Sequence, residues 1–173
     1  MQTTYSSSRI LQPVRPWFIV FTLVIALFLN FLPTNAWLWM PDWVAMVLVF
    51  WTIREPRRVG MGYGFFFGLM MDVADASLMG QHSLAYIGVA YLAASLSRRI
   101  LWFPLGQQAL HVLPLLLLVQ FIQLAVRLMP GMEAPGLTYF VGPFIAAALW
   151  LPLTYILLLP QYQPIEHDAN RPI

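Results

Sequence analysis

Residues 51–92 read WTIREPRRVGMGYGFFFGLMMDVADASLMGQHSLAYIGVAYL, and this stretch decides how the chain folds. Within it, three glycines and an aspartate follow one another at intervals of four residues: Gly60, Gly64, Gly68 and Asp72. This spacing places all four on one face of a helix. Small residues on such a face let two helix backbones approach closely inside a membrane, whereas a carboxylate there needs a polar partner. We therefore expect a face for helix packing or partner docking that ends in a buried polar anchor.

The composition indicates a membrane protein. Of the 173 residues, 60% are hydrophobic and only 9% are charged, and the mean hydropathy is +0.72. A soluble domain carries about 25% charged residues. The chain has no cysteine, which excludes a disulfide framework and a thiolate metal site. All nine basic residues are arginines, and we attribute the pI near 9.2 to membrane-flanking arginines rather than to a nucleic-acid surface, so no nucleic-acid partner is expected.

Six apolar segments approach the roughly 20 residues that a membrane-spanning helix needs. They are residues 16–32, 37–53, 59–76, 78–96, 105–129 and 136–159. Pro41-Asp42 interrupts the second segment, so its lipid-embedded part can begin as late as Trp43. The short connections favour antiparallel neighbours. We predict a single all-α domain over residues 1–173, a polytopic bundle of six transmembrane helices with a short polar leader and tail.

The arginines predict the orientation of this bundle. With the amino terminus in the cytoplasm, the cytoplasmic side holds Arg9, Arg15, Arg54, Arg57, Arg58, Arg98, Arg99 and Arg171. Only Arg127 falls on the opposite side, in agreement with the positive-inside rule. The first segment also resembles a signal peptide with a cleavage site at Thr34-Asn35-Ala36, but its apolar run is long for one. We expect an uncleaved, multi-pass protein with both termini in the cytoplasm.

A polar group is also expected on the fifth segment, where Gln120, Gln123 and Arg127 are spaced three and four residues apart on one helical face. At a rise of about 1.5 Å per residue, Asp72 lies roughly 20 Å above the start of the third segment, in the outer half of the membrane. We predict that these four residues form the buried polar anchor, in which Asp72 and Arg127 could pair.

The ends of the segments supply further polar residues at a similar depth. Asn30 ends the first segment, Asp42 starts the second, and His82 lies at the start of the fourth. For Asp75, His82 and Arg127, a position at a helix end near the lipid headgroups is the favoured interpretation.

The chain carries none of the common motifs of catalysis. His-Glu-x-x-His, Gly-x-Ser-x-Gly and the P-loop are all absent. Asp72 and Asp75 are three residues apart, but no second acidic cluster accompanies them. His82 and His111 fall at opposite ends of their segments, too far apart for one site. We therefore predict that the protein is not an enzyme and has no cofactor and no metal.

With these residues in place, the sequence resembles the MreD family of bacterial rod-shape proteins. The resemblance is carried by Trp51, Pro56, Arg57, Gly60, Gly68-Leu69, Asp72, Gly80-Gln81-His82, Leu84-Ala85-Tyr86 and Tyr91-Leu92. The chain departs from the family at Ala76, since the family often has glycine just before the small residue at Ser77.

The resemblance implies a non-enzymatic component of the cell-elongation complex in the bacterial inner membrane, which helps to organise peptidoglycan synthesis. It implies association with MreC, alongside MreB, RodA and a class B transpeptidase. It also implies a fold similar to the substrate-binding subunit of energy-coupling-factor transporters. On this basis the glycine face and Asp72 either hold the bundle or dock the membrane span of MreC. The cytoplasmic arginines, which include Arg54, Arg58, Arg98 and Arg99, would contact MreB, anionic lipid or both.

The alternative function is that of a substrate-binding subunit of a vitamin-type transporter. The six-helix architecture suits such a subunit, and the polar residues of the outer half would form its pocket. Its coupling protein would dock on small residues at the cytoplasmic side, for which Ala90 and Ala94 are a weak candidate.

Overall fold

The computed structural model describes residues 14–32 and 40–161. These residues form helices and turns without a strand, which confirms the all-α class. Arg9, Arg171 and the Thr34-Asn35-Ala36 segment lie outside the described residues.

Each of the six predicted segments contains a helix. The α-helices are α1 (Pro16–Phe31), α2 (Trp43–Arg54), α3 (Met61–Ala74), α4 (Gln81–Leu101), α5 (Leu105–Leu128), α6 (Val141–Ala148) and α7 (Trp150–Leu158). Short 3₁₀ turns precede α6 (Leu137–Phe140) and follow α7 (Leu159–Gln161). The clearest difference from the predicted bounds is in α4, which begins three residues later than residue 78 and continues past residue 96 to Leu101.

The sixth predicted segment is not one straight helix. The two halves, Leu137–Ala148 and Trp150–Gln161, are bent by 46° relative to one another. Pro152 lies in the first turn of α7, where it has no N–H to donate and its ring would clash with the carbonyl group of Ala148 in a straight helix. The proline therefore accounts for the bend.

The helices differ in how much of a membrane they can cross. By length and composition, α4 and α5 can each cross alone, and the bent α6–α7 pair with its 3₁₀ turns adds a third candidate. The remaining apolar helices, α1, α2 and α3, have 16, 12 and 14 residues. Two or three spans among the described helices therefore satisfy the length criterion.

The bundle is built around α2, in which residues 44–53 are all buried. An apolar helix that is covered on every side is typical of the centre of a bundle. Trp51 is fully buried and donates its indole N–H to Thr22 Oγ1 of α1 at 2.8 Å. Its ring also packs edge-on against Phe18 and Phe50 at centroid distances of 5.9 and 5.0 Å. Trp51 therefore joins α1 to the centre of the bundle.

The glycine face of α3 lies directly against the backbone of α4. A Cβ atom placed on Gly64 would lie 2.7 Å from the carbonyl oxygen of Tyr86, and one placed on Gly68 would lie 2.6 Å from the backbone nitrogen of Ser83. Gly60 takes no part in this contact, because a Cβ atom there would meet nothing within 4 Å. The close approach of the two helices thus depends on Gly64 and Gly68.

We predict that Gly68→Ala lowers the stability of the folded protein by at least about 2 kcal/mol, because the new methyl group must push the α4 backbone away. Gly62→Ala is the matched control on the same helix, since a Cβ atom there meets nothing within 4 Å. It should be neutral or stabilise the helix by up to about 1 kcal/mol. Apparent thermal unfolding midpoints in detergent measure both effects. Equal midpoints for the two variants would contradict the close packing of α3 on α4.

Candidate functional site

The helices alternate in direction, so polar and basic side chains collect at opposite ends of the bundle. At one end α1 meets α2, where Asn30 Oδ1 accepts a hydrogen bond from the Trp43 N–H at 3.0 Å. At the other end Arg58, which follows α2, donates to the carbonyl oxygen of Val14, which precedes α1, at 2.7 Å. We call the first the polar end, because it holds Asn30, Asp42 and Asp72, and the second the arginine end.

The arginine end contains most of the basic residues that the sequence assigns to one side of the membrane. They are Arg15, Arg54, Arg57, Arg58, Arg98 and Arg99. Pro56 and Arg57 lie in the exposed turn between α2 and α3. Arg54 stacks over the ring of Phe50 at 5.2 Å from the centroid, while the Nε of Arg58 lies 3.9 Å from Glu55. Because successive helices run in opposite directions, these arginines all lie at the same end of the bundle.

The Asp72 carboxylate is the centre of the polar end. The residue is 1% exposed, although it lies in the last turn of an apolar helix. Its Oδ1 accepts the backbone N–H of His82 at 2.7 Å, and its Oδ2 accepts the backbone N–H of Gly80 at 2.9 Å. The first N–H groups of a helix have no partner within it. Asp72 supplies that partner from the preceding helix, and its negative charge suits the positive end of the α4 dipole.

Side-chain donors complete the surroundings of Asp72. Ser83 Oγ donates to Oδ2 at 3.0 Å, Ser77 Oγ donates to Oδ1 at 3.2 Å, and His82 Nδ1 lies 3.0 Å from Oδ1. His82 is only 7% exposed. The interpretation that it merely marks a helix end near the headgroups is therefore wrong, because its ring is drawn inward by Asp72. Asp72 pairs with His82 and not, among the described residues, with Arg127.

This Ser–His–Asp set is not arranged as a catalytic triad. In a triad the aspartate and the nucleophile approach opposite nitrogens of the imidazole ring. Here Ser77 Oγ lies 3.3 Å from Nδ1 of His82, the same nitrogen that faces Asp72. Nε2 instead lies 3.6 Å from Asp75 Oδ2. The three side chains stabilise the α3–α4 turn in this geometry, and the described residues hold no cluster of three metal-ligating side chains.

Two residues of the α3–α4 turn have left-handed backbone conformations. Gly80 has φ +99°, which favours glycine because it has no Cβ atom. Ala76 has φ +47°, a conformation that costs a residue with a Cβ atom roughly 1 kcal/mol. Ala76 is the position at which the sequence departs from the family it resembles, which often has glycine there. The alanine nevertheless adopts the left-handed conformation that glycine would favour.

Asp42 forms a second network that the sequence did not reveal in full. It caps α2 by accepting the N–H of Ala45 on Oδ1 at 2.9 Å. Its Oδ2 accepts the hydroxyl of Tyr86 at 2.7 Å, and Asn30 Nδ2 donates to Oδ1 at 3.1 Å. Asp42 therefore joins α1, α2 and α4. An aspartate directly before an apolar run is a known signal for a helix N-cap, but nothing in the sequence identifies Tyr86 as its partner.

A polar cavity opens beside these networks. It consists of two adjoining open chambers: one of about 180 Å³ beside Asp42, which we name the inner chamber, and one of about 440 Å³ beside Arg127, which we name the outer chamber. Both chambers are lined by Asp75, His82, Gln123 and Tyr139. Asn30, Asp42 and Gln120 line the inner chamber, and Gln81 and Arg127 line the outer one. The three polar residues predicted on α5 therefore face this cavity, while Asp72 lies behind it.

Several polar atoms of the cavity wall have no partner among the described residues. They are Gln120 Oε1, Gln123 Nε2 and Arg127 Nε. Gln120 and Gln123 are only 8% and 5% exposed. Gln123 Oε1 accepts the hydroxyl of Tyr139 at 2.8 Å, whereas its amide nitrogen is buried and has no acceptor among the described residues. The arrangement can bind polar or charged groups.

Comparisons with known proteins agree on one family. The family profile described as rod shape-determining protein MreD matches residues 8–159, which include all seven α-helices. The chain is also similar to the rod shape-determining protein MreD of Haemophilus influenzae, with 27% identity over 149 residues, or 82% of this chain and 89% of that protein. No solved structure matches the chain.

We predict that Asp72→Asn lowers stability by about 3 kcal/mol, because an amide cannot accept from all the donors that surround the carboxylate. Asp75→Asn is the matched control, since its side chain is 45% exposed and its one ion-pair partner among the described residues is His82 at 3.6 Å. That variant should lose less than about 1 kcal/mol. Thermal unfolding in detergent compares the two. Equal losses would show that Asp72 does not organise the polar end.

Proposed function

The chain belongs to the MreD family of rod shape-determining proteins, and on this basis we propose that it is a non-enzymatic membrane component of the bacterial cell-elongation complex. The observation that carries the proposal is the profile match over residues 8–159. In this role the protein helps to organise peptidoglycan synthesis and to maintain rod shape. MreC is its direct partner, and MreB, RodA and a class B transpeptidase act in the same complex.

In the proposed topology, six spans cross the inner membrane, with both termini and the arginine end in the cytoplasm. The separation of six arginines from the polar end supports this orientation. The short α2 is acceptable in it, because α2 is enclosed by other helices and begins at the polar cavity. Irregular backbone at membrane depth is tolerated where it is buried in protein or lines such a cavity.

The structure also bears on where MreC docks. Because α4 covers Gly64 and Gly68, these glycines hold the bundle together and are not open to the span of another protein. The span of MreC therefore docks on a different face. The arginine end, with Arg57, Arg98 and Arg99 exposed, suits the proposed contacts with MreB and anionic lipid.

The transporter alternative gains no support from the structure. Of its two candidate docking alanines, Ala90 is fully buried inside the bundle and cannot receive a coupling protein, and Ala94 is half-buried. The cavity alone does not favour a vitamin over any other polar ligand.

We predict that the chain restores rod shape when it is expressed in a rod-shaped bacterium depleted of its own MreD-family protein. Gly68→Ala should restore shape less well than Gly62→Ala, because only the first disturbs helix packing. Cell length-to-width ratio at matched protein levels is the measurement. The proposal would be contradicted if the depleted cells kept their normal shape without any MreD-family protein and a vitamin supplement rescued their growth.

We also predict the outcome of reporter fusions that test the topology. Alkaline phosphatase, which is active only outside the cytoplasm, should be inactive when fused after Arg58 and active when fused after Gly131. The first position lies at the arginine end and the second follows α5 at the polar end. Activity after Arg58 would overturn the orientation.

A further inference from the structure

The outer chamber of the polar cavity carries opposite charges on different walls. Arg127 is on α5, and Asp75 follows the last residue of α3. Arg127 Nε and Gln123 Nε2 are two buried donors that line the same chamber, and neither has an acceptor among the described residues. A buried donor left unpaired costs about 1–3 kcal/mol. A phosphate group offers several strong acceptors to a cationic side chain, and Arg127 lines this chamber together with Gln123.

The residue that follows α3, Asp75, offers a carboxylate to the same chamber. The Asp75 side chain is 45% exposed, and its nearest cationic atom among the described residues is His82 Nε2 at 3.6 Å. Asp42, the other carboxylate of the cavity, is already engaged by Tyr86 and Asn30. Asp75 is therefore the carboxylate available to a positive group such as an ammonium.

Apolar side chains favour a lipid over a soluble ligand. Leu78 and Met132 line the outer chamber beside the charged residues, and Met132 is 45% exposed. A headgroup inside the chamber would bring the upper part of its acyl chains against these side chains. The volumes of about 180 and 440 Å³ exceed by far the space that one water molecule requires.

We propose that the polar cavity binds the headgroup of a zwitterionic phospholipid, with the phosphate at Arg127 and Gln123 and the ammonium group toward Asp75. This inference goes beyond the role in cell shape and does not depend on it. Such a lipid would occupy the protein from the membrane leaflet that surrounds the polar end.

Native mass spectrometry of the delipidated protein in detergent tests the proposal. The wild type should bind phosphatidylethanolamine at least several-fold more tightly than phosphatidylglycerol. Arg127→Gln should weaken the binding of both lipids about tenfold, which corresponds to about 1.4 kcal/mol. Asp75→Asn should abolish the preference for ethanolamine while leaving phosphatidylglycerol binding unchanged. Arg98→Gln, at the arginine end, is the charge-matched control for phosphatidylethanolamine and should bind that lipid as the wild type does.

Gln123→Glu provides a second test that keeps the shape of the side chain. Its added negative charge should repel the phosphate group and weaken the binding of both lipids. Size-exclusion profiles check that each variant is folded. Equal phosphatidylethanolamine affinities for Arg127→Gln and Arg98→Gln would overturn the proposal.

If the cavity held a different occupant, the same experiments would give a different result. Inorganic phosphate that stabilises the wild type but not Arg127→Gln, without any lipid preference, would show a soluble anion site and contradict the lipid proposal. Cavity variants that bind both lipids normally but lose their protein partner on co-purification would show a docking site for a protein segment, which also contradicts it.

Discussion

The Asp72 carboxylate joins the end of α3 to the start of α4, and the geometry of the polar end depends on this interaction. Its two oxygens accept the backbone N–H groups of Gly80 and His82 and the hydroxyl of Ser83. Without Asp72 these buried or part-buried donors would be left unsatisfied, at a cost of about 1–3 kcal/mol each. The first turn of α4 therefore stabilises the negative charge of Asp72, and Asp72 in turn stabilises the first turn of α4. With the start of α4 fixed, Tyr86 is brought to Asp42, so the second network depends on the first.

Close packing and the polar contacts support one another along α3 and α4. Gly64 and Gly68 bring the two backbones together, and this approach places Asp72 within hydrogen-bond distance of the first turn of α4. A larger side chain at Gly68 would separate the helices beside that turn. The polar cavity lies beside this contact, and it is lined by His82 of the Asp72 network and by Asp75 and Gln123, which form no hydrogen bond with Asp72.

The sequence predicted the helices well and the contacts of the polar end less well. Composition and apolar runs located six helical segments, and the spacing of Gly64, Gly68 and Asp72 placed these three on one face of α3, because helix periodicity alone determines these features. Gly60, the fourth member of the predicted face, precedes α3 and takes no part in its packing. His82 was misjudged because depth along a helix does not show in which direction a side chain points. The bond from Tyr86 to Asp42 joins residues 44 positions apart and depends on how the helices pack. The bend before α7 could have been inferred from Pro152, although proline is tolerated in many membrane helices.

Hydrogen exchange at the start of α4 tests the central claim most directly. The first backbone N–H groups of a helix normally exchange rapidly, because they have no partner inside the helix. In the wild-type protein the amides of Gly80 and His82 should instead be protected as strongly as those in the middle of α4, since Asp72 accepts both. Rapid exchange at these two amides in an otherwise protected helix would contradict the account.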